Sequence, residues 1–541
     1  MIFTILDAVR SDYMDTTSPV YNELNKVWKS TCRILFGEEI GELKEYEEWL
    51  KEYMPVIGKR KSHISGKEVT FCFDKYCKNA KFVSLDEVKE KSIEPLTINE
   101  IKDIDSIVEA ISEKWEYTGN KIFGRSTFIE SSDTVFDSHY ALESSYLENS
   151  LYSFCSEGIR ENSKYIFGSI GCERSEFLVR VYGIDNAKRC LEVMSSGDVS
   201  DVFYCMNCIN CSDLLFSFNQ RNKRNMIGNL QLPKDKYLSL KTKLIEEIKD
   251  ELKKNKNFPS LFELAPKDKL SLDIKFQIEE EAGDIKPIEK AFSSTFKVLF
   301  RKEREGGIDQ YENWLARHFK LPKEVVSPLG NKFYVDQPTD FLKVHEAIPE
   351  TRMIRDEEAT LLVDLHLEEK EIQDLDSIKK NLSKIAYFCK HFRVGKSGNL
   401  IKTPIAYDSA NIYNTDVALY SEYVAASCTI GSYGKYIFGS DRPKDSQFCV
   451  HCYYSSKLTR CFEVDSSTNC SDTYFAHNCE GLNEAMFCWN VKGKRYAVGN
   501  AQLPPDQYRK IKDMLVEQMA DEILSKKELK YDIFNIGCGK K

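Results

Sequence analysis

The sequence lacks several features that would place it in a familiar class. It has no run of 18 consecutive apolar residues, so no transmembrane helix is expected. Residues 1–7 have neither the basic stretch nor the long apolar run of a signal peptide. Charged residues make up 30% of the chain, yet they form no long basic or acidic block. Because nucleic-acid binders usually carry a basic face, DNA or RNA binding is disfavoured.

Catalytic signatures are missing as well. The chain contains no P-loop, no GxGxxG after a strand, no GxSxG and no HExxH motif. Histidine, the most frequent general acid or base, occurs only eight times in 541 residues. The sequence therefore predicts no particular reaction, and no cofactor is expected.

Cysteine, by contrast, is plentiful, with 18 residues in the chain. In a chain of this length without a secretory signal, these cysteines are interpreted as reduced thiols in a reducing compartment. We therefore expect a cytoplasmic protein, or one that lies within a larger intracellular or viral assembly.

The most informative feature is that the second half of the chain repeats the first half at a constant offset. Residues 164–169, Lys-Tyr-Ile-Phe-Gly-Ser, return unchanged at 435–440. At the same offset, 187–237 aligns with 458–508 without a gap, and 21 of 51 positions are identical. These matches predict a tandem duplication, so the chain has a first copy and a second copy of one unit.

Each copy also has an internal rhythm of about 12 residues, in which a small residue usually precedes a short β-prone run. The return of one residue type at one phase favours a β-solenoid, with two strands in each coil of about 24 to 25 residues. The alternative is an antiparallel meander that closes as a barrel or sandwich. In the first copy the small residues are Ser138, Ser150, Ser163, Ser175, Ala187, Ser200 and Ser212.

The predicted fold class is α+β. Each repeat unit has a leading helical segment, a β body and a C-terminal capping helix with an apolar stripe. The predicted domains are a first unit 1–254 (leading helical segment 18–54, first β body 130–232, capping helix 234–254), a linker 255–289, and a second unit 290–541 (leading helical segment 290–320, second β body 401–503, capping helix 505–527).

Four acids occupy matching positions and are the candidate catalytic residues. Glu192 and Asp201 correspond to Glu463 and Asp472. A carbohydrate-acting enzyme on a solenoid flank would use such carboxylates as acid and base. The structural interpretation is a solvated glutamate and an aspartate that caps its own turn.

A second shared set of polar residues surrounds the Gly-Asn sequences at 228–229 and 499–500. We interpret these residues as part of a hairpin that connects the last strand to the capping helix. The alternative is a pair of equivalent contact sites for a partner or an anion. The candidate binding residues are Asn219, Lys223, Arg224, Asn229, Gln231, Asn490, Lys494, Arg495, Asn500 and Gln502.

Two cysteine clusters have the spacing of metal ligands. Cys205, Cys208 and Cys211 form a CxxCxxC sequence, and Cys449 and Cys452 form a CxxC sequence. Neither cluster is kept intact in the other copy, which favours small core residues over a zinc or iron–sulfur site.

The short Cys-, Asn- and Ser-rich strands end in Leu-Pro-x-Asp-x-Tyr before a helix in both copies. This pattern resembles a family of uncharacterised Cys/Asn-rich repeat proteins of bacteria and their viruses, over residues 138–252 and 409–523. The family has no assigned activity, so the resemblance implies a β-repeat fold and no mechanism.

These patterns favour a non-enzymatic structural or interaction protein. We expect it to self-assemble or to dock on another protein through the flat, Tyr- and Phe-bearing flanks of its β bodies. The alternatives are a carbohydrate-acting or other enzyme that uses the four shared acids, and a metal or iron–sulfur carrier that uses the clustered cysteines.

Overall fold

The computed structural model has a mixed α+β fold, as the sequence predicted. In the part of the chain that it describes, no helix combines the length and apolarity needed to cross a membrane. Of the rhythm residues, Ser175 and Ala187 lie outside the described residues. The structure describes residues 15–55, 57–72, 75–89, 101–159, 163–168, 170–173, 178–180, 182–185, 189–265, 272, 274, 276–278, 282–337, 343–431 and 433–538.

Contacts divide the chain into two compact units whose bounds differ from the predicted domains. Each unit contains one β body but collects segments from distant parts of the sequence. The first unit consists of Met1–Met54, Ile122–Leu264 and His366–Leu382, and the second of Pro55–Lys121, Ala265–Leu365 and Ser383–Lys541.

The first β body is built from parallel strands in register. Leu151, for example, pairs with His139 on one side and with Lys164 on the other, so it neighbours the strand one repeat earlier and the strand one repeat later. Its strands are Ile122–Phe123, Thr127–Glu130, Asp133–Phe136, His139–Leu142, Ser145–Glu148, Leu151–Phe154, Lys164–Phe167, Ile170–Glu173, Leu178–Val179, Tyr182–Asp185, Val193–Gly197, Ser200–Phe203, Cys205–Met206, Ser212–Leu215, Arg224–Ile227 and Leu230–Gln231.

The second β body contains a ten-stranded sheet and a five-stranded sheet. The ten-stranded sheet consists of Gly398–Ile401, Ala410–Tyr413, Glu422–Ala425, Lys435–Phe438, Gln447–Tyr453, Thr459–Asp465, Ser471–His477, Asn483–Trp489, Arg495–Val498 and Ala501–Gln502. The five-stranded sheet consists of Met353–Arg355, Phe388–Val394, Ile405–Tyr407, Val417–Leu419 and Thr429–Ile430.

The strand pairing corrects two expectations. A meander pairs successive strands antiparallel, whereas in the described residues of both β bodies only the last hairpin of each is antiparallel. The period of the pairing is also half the predicted coil length, because Thr459 pairs with Ser471 and Ser471 with Asn483, without skipping a repeat of the rhythm.

Columns of small polar side chains explain the rhythm of the sequence. The backbone N–H of Ser467 donates to the Ser455 hydroxyl, at 3.0 Å, and the N–H of Cys479 donates to the Ser467 hydroxyl at 3.0 Å. The Ser467 hydroxyl in turn donates to the Asp465 carbonyl at 2.8 Å. Ser and Cys thus share one phase because each fits a narrow interior and donates to the carbonyl two residues earlier.

Every third residue from Phe128 to Cys155 has a positive φ, and the same spacing returns from Asn469 to Tyr496. Left-handed backbone costs a residue other than glycine about 1–2 kcal/mol, and Asn and Asp tolerate it best. This geometry accounts for the many Asn and Asp residues between the strands, and the ladder hydrogen bonds offset its cost.

A leading helix packs on each β body. The first leading helix, Pro19–Phe36, begins at Ser18, whose hydroxyl accepts from Val20 and Tyr21, and ends at Gly37 with φ 79°. Its buried Trp28 lies against Phe167 of the first β body, with ring centroids 5.3 Å apart. The second leading helix is Lys286–Phe300, and short helices follow at Glu47–Lys51 and Glu312–Leu315.

Each β body ends in a capping helix, Lys234–Asn255 in the first copy and Pro505–Lys526 in the second. One shorter helix precedes the first β body in sequence, and another precedes strand Phe388–Val394 of the second β body. We call these the first arm helix, Ile104–Ser112, and the second arm helix, Leu375–Asn381. The remaining α-helices and strands are Leu261–Leu264, Asp356–Ala359, Gly58–Lys61, Glu68–Phe71, Lys81–Ser84, Glu116–Gly119, Lys323–Val326 and Lys332–Val335.

Candidate interaction site and the predicted functional residues

Glu192 is sealed inside the first unit. Its side chain is 1% exposed, and its Oε1 accepts a hydrogen bond from the backbone N–H of Leu261 at 2.7 Å. Burial raises the pKa of Glu192 to about 7, although the nearby Arg180 guanidinium acts against that rise. A carboxyl group that is buried and bound to the Leu261 backbone cannot meet a substrate without opening the unit.

Glu463 is sealed in the same way in the second unit. Its Oε2 accepts from the backbone N–H of Ile533 at 2.8 Å, and its Oε1 lies 2.7 Å from His451 Nδ1. Burial raises the pKa of Glu463 to about 7 and holds the pKa of His451 well below its ordinary value. His451 Nε2 lies 3.1 Å from the Trp314 carbonyl, to which it donates, so Nδ1 of the neutral ring is the acceptor nitrogen that faces Glu463.

The two sealed glutamates take their arginine from different elements. In the first unit Arg180 lies in the β body, donates to the Phe258 carbonyl at 3.2 Å and pairs with Glu52 at 2.9 Å. In the second unit His451 holds the position of Arg180, and Arg317, which follows the short helix after the leading helix, donates to the Leu529 carbonyl at 2.9 Å and to Glu463. An arginine thus lies near the buried glutamate in both units, although it comes from a different element in each.

The aspartates of the candidate set lie at the surface and pair with arginine. Asp472 accepts two hydrogen bonds from Arg460, at 2.7 and 2.6 Å. Asp201 lies 3.7 Å from Arg189, a looser pair. The structure therefore separates the predicted acids into buried glutamates and surface aspartates that are neutralised by arginine.

A column of stacked aromatic rings runs along one flank of the first β body. The rings of Phe128, Tyr140, Tyr152 and Tyr165 stack with successive centroid distances of 4.7, 5.3 and 5.4 Å. Phe128 is 52% exposed, and the three tyrosines are partly exposed. Because the rings cover one another's faces, the column presents ring edges and hydroxyls, which suit a protein surface better than a sugar ring.

The same flank leads to a groove between the first leading helix and the first capping helix. The groove has a volume of about 360 Å³, and Arg189, Asp201 and Phe203 line it from the β body. Ile34 and Leu238, one from each helix, are 44% and 45% exposed at the groove. This flank, with its aromatic column and its groove, is the candidate interaction site.

The corresponding place in the second unit is closed by side chains. Tyr474, which replaces Phe203, donates its hydroxyl to the Leu299 carbonyl of the second leading helix at 2.6 Å. Arg301 pairs with Asp513 of the second capping helix, and Val516 is buried there. The groove is therefore a feature of the first unit, and no sequence pattern indicated it.

The Gly-Asn hairpins cap the last strand pairing of each β body. Asn229 Oδ1 accepts from the backbone N–H of Phe218 at 2.8 Å, and its Nδ2 donates to the Phe218 carbonyl at 3.1 Å. Asn500 makes the same two hydrogen bonds: its Oδ1 accepts from the Trp489 N–H at 2.9 Å, and its Nδ2 donates to the Trp489 carbonyl at 2.8 Å. Each asparagine side chain thus replaces the strand that would follow.

The other candidate binding residues divide into ladder and surface positions. Asn219 accepts from Asn207 at 2.8 Å, and Asn490 accepts from Asn478 at 2.9 Å, so both belong to asparagine columns. Lys223 and Lys494 are half-buried, and the exposed residues of the set are Arg224, Gln231, Arg495 and Gln502.

The cysteine clusters point into the β bodies. Cys205, Cys208, Cys211, Cys449 and Cys452 are buried, and each thiol donates to a nearby carbonyl. Burial raises the pKa of Cys211 to about 11, which opposes the thiolate that a metal needs. Among the described residues, no three Cys, His, Asp or Glu side chains form a group that would hold a metal ion.

One cysteine pair was missed. Cys77 and Cys538 form a disulfide across 461 residues of sequence, so the prediction that every cysteine is reduced is wrong for this pair. It fastens a C-terminal segment, residues 529–538, whose Phe534 carbonyl also accepts from the Cys77 N–H at 3.2 Å. The other 15 cysteines with described side chains are buried.

Comparison with protein families, with functionally characterised proteins and with solved structures finds no match for this chain. The resemblance to Cys/Asn-rich repeat proteins therefore stays a prediction, and the function must be argued from the geometry.

Proposed function

We propose that this chain is a non-enzymatic interaction protein, a tandem duplication of a β-solenoid unit that assembles with itself or docks on another protein. The regular register of the parallel strands supports a solenoid whose coil has four left-handed corners, because positive φ values recur every third residue. Columns of identical residue types, such as Ser455 and Ser467, follow from direct stacking of such coils.

The candidate interaction site of the first unit carries the proposal. Its aromatic column and groove expose apolar rings and side chains, including Phe128, Ile34 and Leu238, on a flank built of regular strands and helices. Exposed apolar surface of this kind, rimmed by Arg189 and Asp201, is typical of a protein interface. The predicted catalytic acids support the same conclusion, since each is buried or neutralised by arginine.

The test is mass photometry of the full chain together with substitution of the column. We expect a discrete assembly that dissociates in the double variant Phe128→Ser, Tyr140→Ser. The matched control is Tyr433→Ser in the second unit, which removes a ring that lies outside the column and is 67% exposed, against 52% for Phe128. A protein that is monomeric at tens of micromolar and binds no partner through this flank would overturn the proposal.

Self-assembly and docking give different results in that experiment. A discrete oligomer that the column variant disrupts indicates self-assembly. A monomer that captures one protein stoichiometrically, and loses it in the column variant but not in Tyr433→Ser, indicates docking.

A further inference from the structure

The capping helix of each copy carries the arm helix of the other copy. The second arm helix, Leu375–Asn381, belongs to the first unit, where the backbone N–H of Leu375 donates to Glu247 Oε2 at 2.7 Å. The first arm helix belongs to the second unit, where the N–H of Ile104 donates to Gln518 Oε1 at 3.1 Å. At the constant offset of the repeat, Glu247 aligns with Gln518, and Ile104 aligns with Leu375.

A second pair of contacts has aligned acceptors, although its donors lie one helical turn apart in the alignment. Lys243 Nζ donates to the Gln373 carbonyl at 2.8 Å, and Gln518 Nε2 donates to the Lys102 carbonyl at 3.3 Å. Lys102 and Gln373 are again aligned positions of the two copies. The two capping helices therefore hold equivalent segments in the same way, and each segment comes from the other copy.

The Gly-Asn hairpins also contact the residues that pack on the capping helices. Gly228, with φ 57°, accepts from the backbone N–H of Leu367 at 2.9 Å, and a Cβ at this position would lie 2.7 Å from the Leu367 side chain. Gly499, with φ 58°, faces Ile111 of the first arm helix, where a Cβ would lie 3.3 Å away. Residues 101–112 and 366–382, which contain the two arm helices, are called the arm segments. Both positions are glycine because of this backbone conformation and the close approach of an arm segment.

We infer that the surface of each capping helix, with its Gly-Asn hairpin, is a receptor for the arm segment of a copy other than its own. Within one chain the two copies fill these receptors reciprocally. A second chain offers the same arms, so two chains that fold together exchange them and form a dimer. This inference deepens the self-assembly part of the proposed function and adds the partner, a second copy of this chain.

The pair Lys379–Glu251 reports on the exchange. Lys379 Nζ on the second arm helix lies 2.6 Å from Glu251 Oε2 on the first capping helix, and both side chains reach solvent. The full chain with both Glu251→Cys and Lys379→Cys is expected to be crosslinked within one chain by a short bismaleimide. The control pair is Glu38 and Lys253, 3.3 Å apart, which joins two segments of the first copy.

The decisive experiment mixes two full chains, one with Glu251→Cys and one with Lys379→Cys, unfolds them, and refolds them together at high concentration. We expect a crosslinked dimer in this mixture and none above background in the matching mixture of Glu38→Cys and Lys253→Cys chains. No dimer, or equal dimer from both mixtures, would overturn exchange between chains. Failure of the double variant to crosslink would overturn the reciprocal arrangement itself.

The flank variant separates this inference from the proposed function. Phe128→Ser with Tyr140→Ser is expected to leave the crosslinked dimer of the Glu251 and Lys379 mixture unchanged, because both residues lie in strands of the β body and not in an arm helix or a capping helix. If the dimer forms while the column variant has no effect on assembly, the arms alone carry self-association, and the part of the flank proposal that concerns self-assembly is wrong.

Discussion

The side chain of Asn500 pairs with both backbone groups of Trp489. Its Oδ1 accepts from the Trp489 N–H and its Nδ2 donates to the Trp489 carbonyl, so one amide ends the ladder as a further strand would. An open strand edge would otherwise leave these groups unpaired in a buried place.

Asn500→Ala is therefore expected to lower the free energy of unfolding by about 2–4 kcal/mol, because it leaves two buried backbone groups without partners. Urea denaturation measures the change. Gln502→Ala, at a nearby exposed position, is the control and should stay within about 0.5 kcal/mol of the wild type. Equal effects of the two substitutions would contradict the capping role.

Glu192 predicts a pH dependence of stability. Its pKa in the folded protein is raised to about 7 by burial, so between its unfolded value and about pH 7 the folded state binds more protons than the unfolded state. Its contribution is thus fully present at low pH and is lost as the pH rises through about 7. The charged groups that act on it are Arg180, Glu263 and Glu52.

Glu192→Gln should remove this dependence. We expect the variant to be more stable than the wild type at pH 8, by on the order of 2 kcal/mol, and the difference to shrink at pH 5. Denaturation at the two pH values measures it. Asp201→Asn, at a surface position, should show no such trend, and a variant that is less stable at pH 8 would refute the sealed, proton-binding glutamate.

The Cys77–Cys538 bond should stabilise the second unit through its C-terminal segment. Cys538→Ser is expected to lower the stability of the oxidised protein by about 2–5 kcal/mol, since the bond closes a very long loop. In excess reductant, wild type and variant should unfold at the same denaturant concentration. A difference that persists in reductant would mean that the serine itself disturbs the packing around the segment.

The cysteines of the columns should tolerate serine. Cys479 shares its phase with Ser455 and Ser467, and its thiol donates to the His477 carbonyl at 3.3 Å as a serine hydroxyl would. Cys479→Ser is expected to change stability by less than about 1.5 kcal/mol, and Cys479→Leu to cost about 1–3 kcal/mol by overpacking.

The column interpretation also predicts that the cysteine clusters bind no metal, and this prediction separates it from the metal-carrier alternative. Protein purified without oxygen should hold no stoichiometric zinc or iron, and Cys208→Ser should leave its metal content unchanged. Stoichiometric metal that disappears in Cys208→Ser would replace the column interpretation with a metal site.

Sequence reasoning predicted the α+β class and the short internal rhythm, because stacking fixes residue types such as Ser455 and Ser467 at one phase. It predicted that paired strands lie two repeats apart, whereas they lie one repeat apart, because periodicity alone does not say whether the strands of successive repeats are neighbours. It missed the Cys77–Cys538 bond, because nothing local joins positions 461 residues apart. Sequence reasoning also did not predict the reciprocal placement of the arm helices. Because the two copies are similar, the sequence does not say whether a capping helix holds the arm helix of its own copy or that of the other copy.

The regular register of the strands has a consequence for how such a chain tolerates insertions and deletions. Removing residues 471–482 would bring Asn483 opposite Thr459 with every column still aligned, because both already pair with Ser471. Removing half of that segment would keep every third residue at the interior phase, but it would shift the following strands out of register with their partners and break each hydrogen-bonded column at once. Insertions and deletions that preserve the fold should therefore add or remove whole pairing repeats of the strands.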